Sequence, residues 1–118
     1  PNTTLFRSHP QVATVGLTER EARARDLPIT VGRRDYGGTA YGWALEDDSS
    51  FAKVIVHAKT DEIVGAHIMG PQAASLIQPI IQAMQFGQTA TDLAEQVFYI
   101  HPALTEVVEN AILEAIGT

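Results

Sequence analysis

The stretch FAKVIVHAKTDEIVGAHIMG, residues 51–70, decides the fold. Its first part alternates. Ala52, Val54, Val56 and Ala58 fall on one face, and Phe51, Lys53, Ile55 and His57 on the other, which is the period of a strand. Lys59-Thr60-Asp61-Glu62 makes a turn, and Ile63 to Gly70 reads as the returning strand. Together they predict a β-hairpin.

After Gly70-Pro71 the period changes from two to about 3.6. Ala73, Leu76, Ile77, Ile80 and Met84 recur at helical spacing, and Ile81 and Ala83 widen the stripe, so this helix is expected to be covered on more than one side. Pro79 falls inside the pattern. It removes a helical N–H donor and predicts a kink or a split there. Gly87 ends the run. TATDLAEQV predicts a second, short helix with Thr89 as its cap. A last helix is expected from about Ala103 to Ile116, stopped by Gly117. Its apolar stripe is Leu104, Val107, Val108, Ala111, Ile112, Ala115 and Ile116, with Glu106, Asn110 and Leu113 pointing elsewhere.

Before the hairpin, PQVATVG predicts a strand closed by Gly16. LTEREARARDLP predicts a helix, with Thr18 and Glu21 in capping-box spacing and Pro28 just beyond it. ITVGRRDY reads as another strand, and GGTAYGWALEDDSS as a loop or an irregular strand with a turn. The expected architecture is α+β, a mostly antiparallel sheet with helices packed on one side.

Composition narrows the chemistry. A length of 118 residues suits one domain with one core. The net charge of −6 argues against a nucleic-acid or anionic-membrane surface, because both need clustered Lys and Arg. No apolar run is long enough to span a bilayer. The absence of cysteine removes disulfides, thiolate zinc sites and cysteine nucleophiles, and is compatible with a reducing cytoplasm. The chain begins at Pro1 without Met and is expected to be a piece of a longer protein. His57 and His67 fall out of register across the hairpin, so no metal site is expected. His9-Pro10 is expected to be a lead-in to the first strand, and no serine stands in a nucleophile setting.

His101 and Glu106, in YIHPALTEVVEN, admit two readings. In one, Pro102 begins a helix and Glu106 complements its dipole. In the other, the carboxylate fixes the tautomer of His101 and leaves its second ring nitrogen as a general acid/base. No nucleophile in the chain accompanies that pair.

Three segments carry a resemblance. PQVATVGLTEREA, VGAHIMGPQAASLI and HPALTE are similar, in order and spacing, to the segments that mark the C-terminal interface domain of pyridine nucleotide–disulfide oxidoreductases. Gln11 stands where the family usually has Glu, and Ser75 lacks the usual acidic neighbour. LIQPIIQAMQFG followed by YIHPALTEVVENAIL is most similar to the actinobacterial branch acting on mycothione. Lipoamide- and glutathione-type enzymes remain the alternatives, and so does a stand-alone dimeric binding module with a silent His/Glu pair.

The resemblance implies that residues 1–118 form one dimerisation domain of a homodimeric flavoenzyme. FAD and NADPH would be bound by other domains of the same polypeptide and neither by this one, which would be inactive alone. His101 would be the acid/base acting in trans on the partner subunit's dithiol site, and Glu106 would orient it. The His101–Pro102 bond would be cis, with its backbone near the partner's FAD. Phe98, Tyr99, Ile100 and Leu113 are the expected dimer-contact residues, and a small mycothione-like disulfide the expected substrate.

Overall fold

A computed structural model describes residues 3–6, 11–38 and 49–117. Five strands form one antiparallel sheet: β1 (Thr3–Phe6), β2 (Val12–Gly16), β3 (Ile29–Asp35), β4 (Phe51–His57) and β5 (Ile63–Met69), in spatial order β1-β2-β5-β4-β3. The helices are α1 (Glu19–Ala24), α2 (Ala73–Leu76), α3 (Gln78–Gln85), α4 (Ala90–Glu95) and α5 (Thr105–Ile116). The α+β class and the central hairpin stand as expected. Most of the expected loop, at residues 39–48, lies outside the described residues, as does His9-Pro10.

Local chemistry accounts for the helix boundaries. Thr18 Oγ1 accepts the Glu21 N–H and Glu21 Oε1 accepts the Thr18 N–H, both at 3.0 Å, a complete capping box. Thr89 and Asp92 repeat it at α4. Pro79 divides the expected long helix into α2 and α3, where it occupies the first turn and its missing donor costs nothing. Gly117 closes α5 in the left-handed conformation, at φ +85°.

The core lies between one sheet face and the α2–α5 layer. Ala13, Val15, Ala52, Val54, Ala66 and Ile68 face Leu76, Ile80, Leu93, Val107, Val108 and Ile112. Each large apolar side chain buried there contributes about 1.5–3 kcal/mol. Helix α5 lies directly on β3. A Cβ on Gly32 would run into the Ala111 carbonyl oxygen and come within 2.6 Å of the Ala115 nitrogen, so the bare glycine permits this approach.

Helix α1 covers the opposite face. Glu19 on α1 meets Lys53 at 2.7 Å, and Lys53 shares the outer face of β4 with Ile55. Ile55, expected on the second face, is fully buried as well. Ala58 departs from its expected inward position. It falls past the end of β4 and is exposed, its N–H donating to the Pro28 carbonyl.

The first two resemblance segments meet in space. Thr14 pairs with His67 and Gly16 with Gly65 across β2 and β5. The His67 Nε2–H donates to the Leu17 carbonyl at 2.9 Å. A side chain at Gly65 would collide with that same carbonyl. Both residues therefore hold the β2–α1 connection flat against the sheet. His57 caps the hairpin turn instead, its Nδ1 accepting the Lys59 and Thr60 N–H groups at 3.2 Å each.

Candidate functional site

The site forms where α4 hands over to α5. Helix α4 is pinned at its start by the hairpin turn. The Ala90 N–H donates to the Asp61 carbonyl at 2.7 Å, and the Thr91 N–H to the Asp61 carboxylate at 3.0 Å. From its end, residues 97–100 run to His101. Phe98 is 90% exposed and Ile100 67%, while Tyr99 between them turns inward and donates its hydroxyl to the Leu93 carbonyl at 3.0 Å.

The His101–Pro102 bond is cis. Pro102 does not take the first helical position that one of the two readings gave it, and α5 starts at Thr105, two residues past the expected start near Ala103. Leu104 at the cap has no side-chain acceptor, and Glu106 serves the helix start instead. Its Oε2 accepts the Ala103 N–H at 3.3 Å, while its Oε1 lies 2.7 Å from His101 Nδ1.

Burial pushes the Glu106 carboxyl up. The His101 hydrogen bond, the Ala103 N–H and the imidazole charge outweigh that and hold it below the ordinary carboxylate range. Glu106 is therefore ionised at neutral pH and can only accept, which puts the proton on His101 Nδ1. Nε2 has no partner among the described residues and stands at the surface on a ring that is 68% exposed, whereas Glu106 is only 16% exposed. A partly buried carboxylate orienting an exposed imidazole is a group prepared to exchange a proton with something outside the chain.

Glu109, one turn further along α5, faces the same region. Burial and then the Glu106 charge raise its carboxyl. Burial and Glu109 together push the Tyr99 phenol up to about 12.

Of the residues expected at a dimer contact, Phe98 and Ile100 are exposed. Tyr99 is partly buried, and Leu113 packs partly against the core. Phe86 and Val97 are exposed large apolar residues that the helical stripes did not single out. The sequence patterns placed both inside helices, whereas α3 ends at Gln85 and α4 at Glu95, which leaves them just beyond.

The model of the pyridine nucleotide-disulphide oxidoreductase dimerisation domain matches residues 3–112. Mycothione reductase of Mycobacterium tuberculosis (strain CDC 1551 / Oshkosh) is 58% identical over 104 residues, 88% of this chain and 23% of that protein. Dihydrolipoyl dehydrogenase of Rhizobium etli is 38% identical over 109 residues, 92% of this chain and 22% of that protein. The chain thus spans under a quarter of the length of these curated relatives. Among solved structures, LpdA of Mycobacterium tuberculosis superposes with a TM-score of 0.88 at 23% identity, over 96% of this chain and 24% of that one. The flavoprotein disulfide reductase RclA of Escherichia coli superposes with a TM-score of 0.85 at 23% identity, over 94% and 25%. These two likenesses establish the fold. With the family match over nearly its whole length, the chain belongs to the dimerisation-domain family of the pyridine nucleotide-disulphide oxidoreductases.

Proposed function

We propose that residues 1–118 are the interface domain of a longer, homodimeric, NADPH-dependent flavoprotein that reduces a mycothione-like disulfide in the cytoplasm. The observation that carries the catalytic part is the His101–Glu106 pair, hydrogen-bonded within the domain and open at Nε2. The pair would act in trans. Its partner thiol and flavin would lie in the other domains of the opposite subunit, against the exposed His101–Pro102 backbone and the Phe98–Ile100 surface.

No glycine-rich phosphate loop is present in this chain, so FAD and NADPH would be held elsewhere in the polypeptide. When bound, they supply the electrons that open the substrate disulfide. From this chain, His101 contributes proton exchange at Nε2: with Nδ1–H held by Glu106, Nε2 would take a proton from the attacking thiol and return it to the thiolate that leaves. A thiolate of high pKa leaves a disulfide poorly, and protonation at Nε2 distance makes it a competent leaving group. Glu106 keeps Nδ1 protonated and the ring turned outward.

The greater identity to mycothione reductase than to dihydrolipoyl dehydrogenase, 58% against 38%, favours mycothione over lipoamide as substrate. Steady-state NADPH oxidation by the full-length protein with mycothione, oxidised glutathione and lipoamide tests this. The proposal expects the highest kcat/KM with mycothione. Preference for either other disulfide would overturn the substrate, and no disulfide turnover at all would overturn the enzyme.

A further inference from the structure

The Leu93 carbonyl lies in the last turn of α4. The final helical bond runs from the Gln96 N–H to Asp92, and among the described residues no backbone N–H answers Leu93. A helix end leaves such carbonyls to find other donors. Here the donor is the Tyr99 hydroxyl, at 3.0 Å, reaching back six residues. The bond joins the frame to the site. The hairpin turn pins the start of α4 through Asp61, and Tyr99 ties the end of α4 to the connecting segment. His101 follows two residues later.

Within this chain, the neighbours of Tyr99 between α4 and α5 give no comparable anchor. Val97, Phe98 and Ile100 are all exposed. Glu106 fixes the ring of His101 from the α5 side, but it does not fix the backbone that carries that ring.

We propose that Tyr99 is a positioning residue for His101, setting where the imidazole stands by tying the connecting segment to the Leu93 carbonyl; this rests on His101 being the acid/base. The phenol suits the task. Burial and the nearby Glu109 hold it protonated across the working pH range, so it remains a donor.

The test is Tyr99→Phe in the full-length holoenzyme, which removes one oxygen and keeps the ring. Flavin content and sedimentation verify assembly. Because Tyr99 is held inward, the KM for the disulfide should stay within about twofold while kcat falls roughly tenfold or more, as expected for a displaced catalytic group. In a His101→Ala background the same change should cost nothing further, since the two residues act through one group. Wild-type kcat in Tyr99→Phe, or an undiminished loss in the His101→Ala background, would overturn the positioning role alone. Normal turnover in His101→Ala would overturn the acid/base reading and this inference with it.

Discussion

His101 Nδ1 and Glu106 Oε1 meet at 2.7 Å across the start of α5, and this one contact converts a surface histidine into an oriented one. Glu106→Gln separates its geometry from its charge. The amide oxygen can still accept from Nδ1–H, but the negative charge is gone, and the Ala103 N–H faces an NH2 group. In the full-length enzyme, disulfide turnover should fall by roughly tenfold or more, with Glu106→Ala lower still. Steady-state NADPH oxidation checks the order of the two variants. Wild-type turnover in both would remove Glu106 from the account.

The exposed Phe98 and Ile100 give the proposed dimer its most direct handle. Aspartate at either position places a charge in a surface that should be desolvated on association, at a cost of about 2 kcal/mol or more if the residue is an anchor. Sedimentation equilibrium of the full-length Phe98→Asp and Ile100→Asp proteins should show at least partial dissociation at concentrations where the wild type is dimeric. An unchanged dimer in both places the contact elsewhere on the domain.

Two carboxylates of α5, Glu106 and Glu109, have opposite pH signatures. Glu106 is held below its ordinary value, so the stability it contributes is present above that value and is lost as the pH falls through the lower, folded one. Glu109 is raised, by burial and then by Glu106. Its contribution favours folding at acid pH and is lost as the pH rises through the raised value. Glu109→Gln should therefore raise the Tm of the 118-residue chain at about pH 7, by under about 5 °C, and do nothing at about pH 3. Thermal melts at the two pH values decide it, and a gain that is equal at both would contradict the assignment.

Gly32 is the point where α5 rests on the sheet, and Gly32→Ala tests how tightly. The new methyl must displace the backbone at Ala111 and Ala115 rather than a side-chain tip. A loss of about 3 kcal/mol or more is expected, the upper range for overpacking. Urea unfolding of the variant chain measures it. A loss near zero would mean that α5 shifts freely, which would also undo the fixed placement of Glu106.

Features set by local chemistry were legible in the sequence. The alternation of β4, the capping box of Thr18 and Glu21, the split at Pro79 and the stop at Gly117 each depend on residues within a few positions of one another. What escaped depends on distant partners. Ile55 gave no sign that the second face would be covered, because alternation assigns a side chain to a face and says nothing of what lies over it. The last helix was expected from about Ala103, but Glu106 takes the Ala103 N–H and the helix starts at Thr105. Tyr99 and Phe98 look alike as aromatic neighbours, yet the Leu93 carbonyl draws one inward and leaves the other in solvent. The His/Glu pair was visible as a spacing, and its meaning depended on the company of the other two motifs.

The central claim is that His101 supplies the proton for disulfide exchange while electron entry takes place elsewhere. His101→Ala in the full-length enzyme, followed by stopped flow, separates the two. The account predicts that flavin reduction by NADPH proceeds at close to the wild-type rate and that disulfide turnover falls by roughly 10²- to 10⁴-fold, the usual range for a lost general acid/base. Disulfide turnover near the wild-type rate would contradict it.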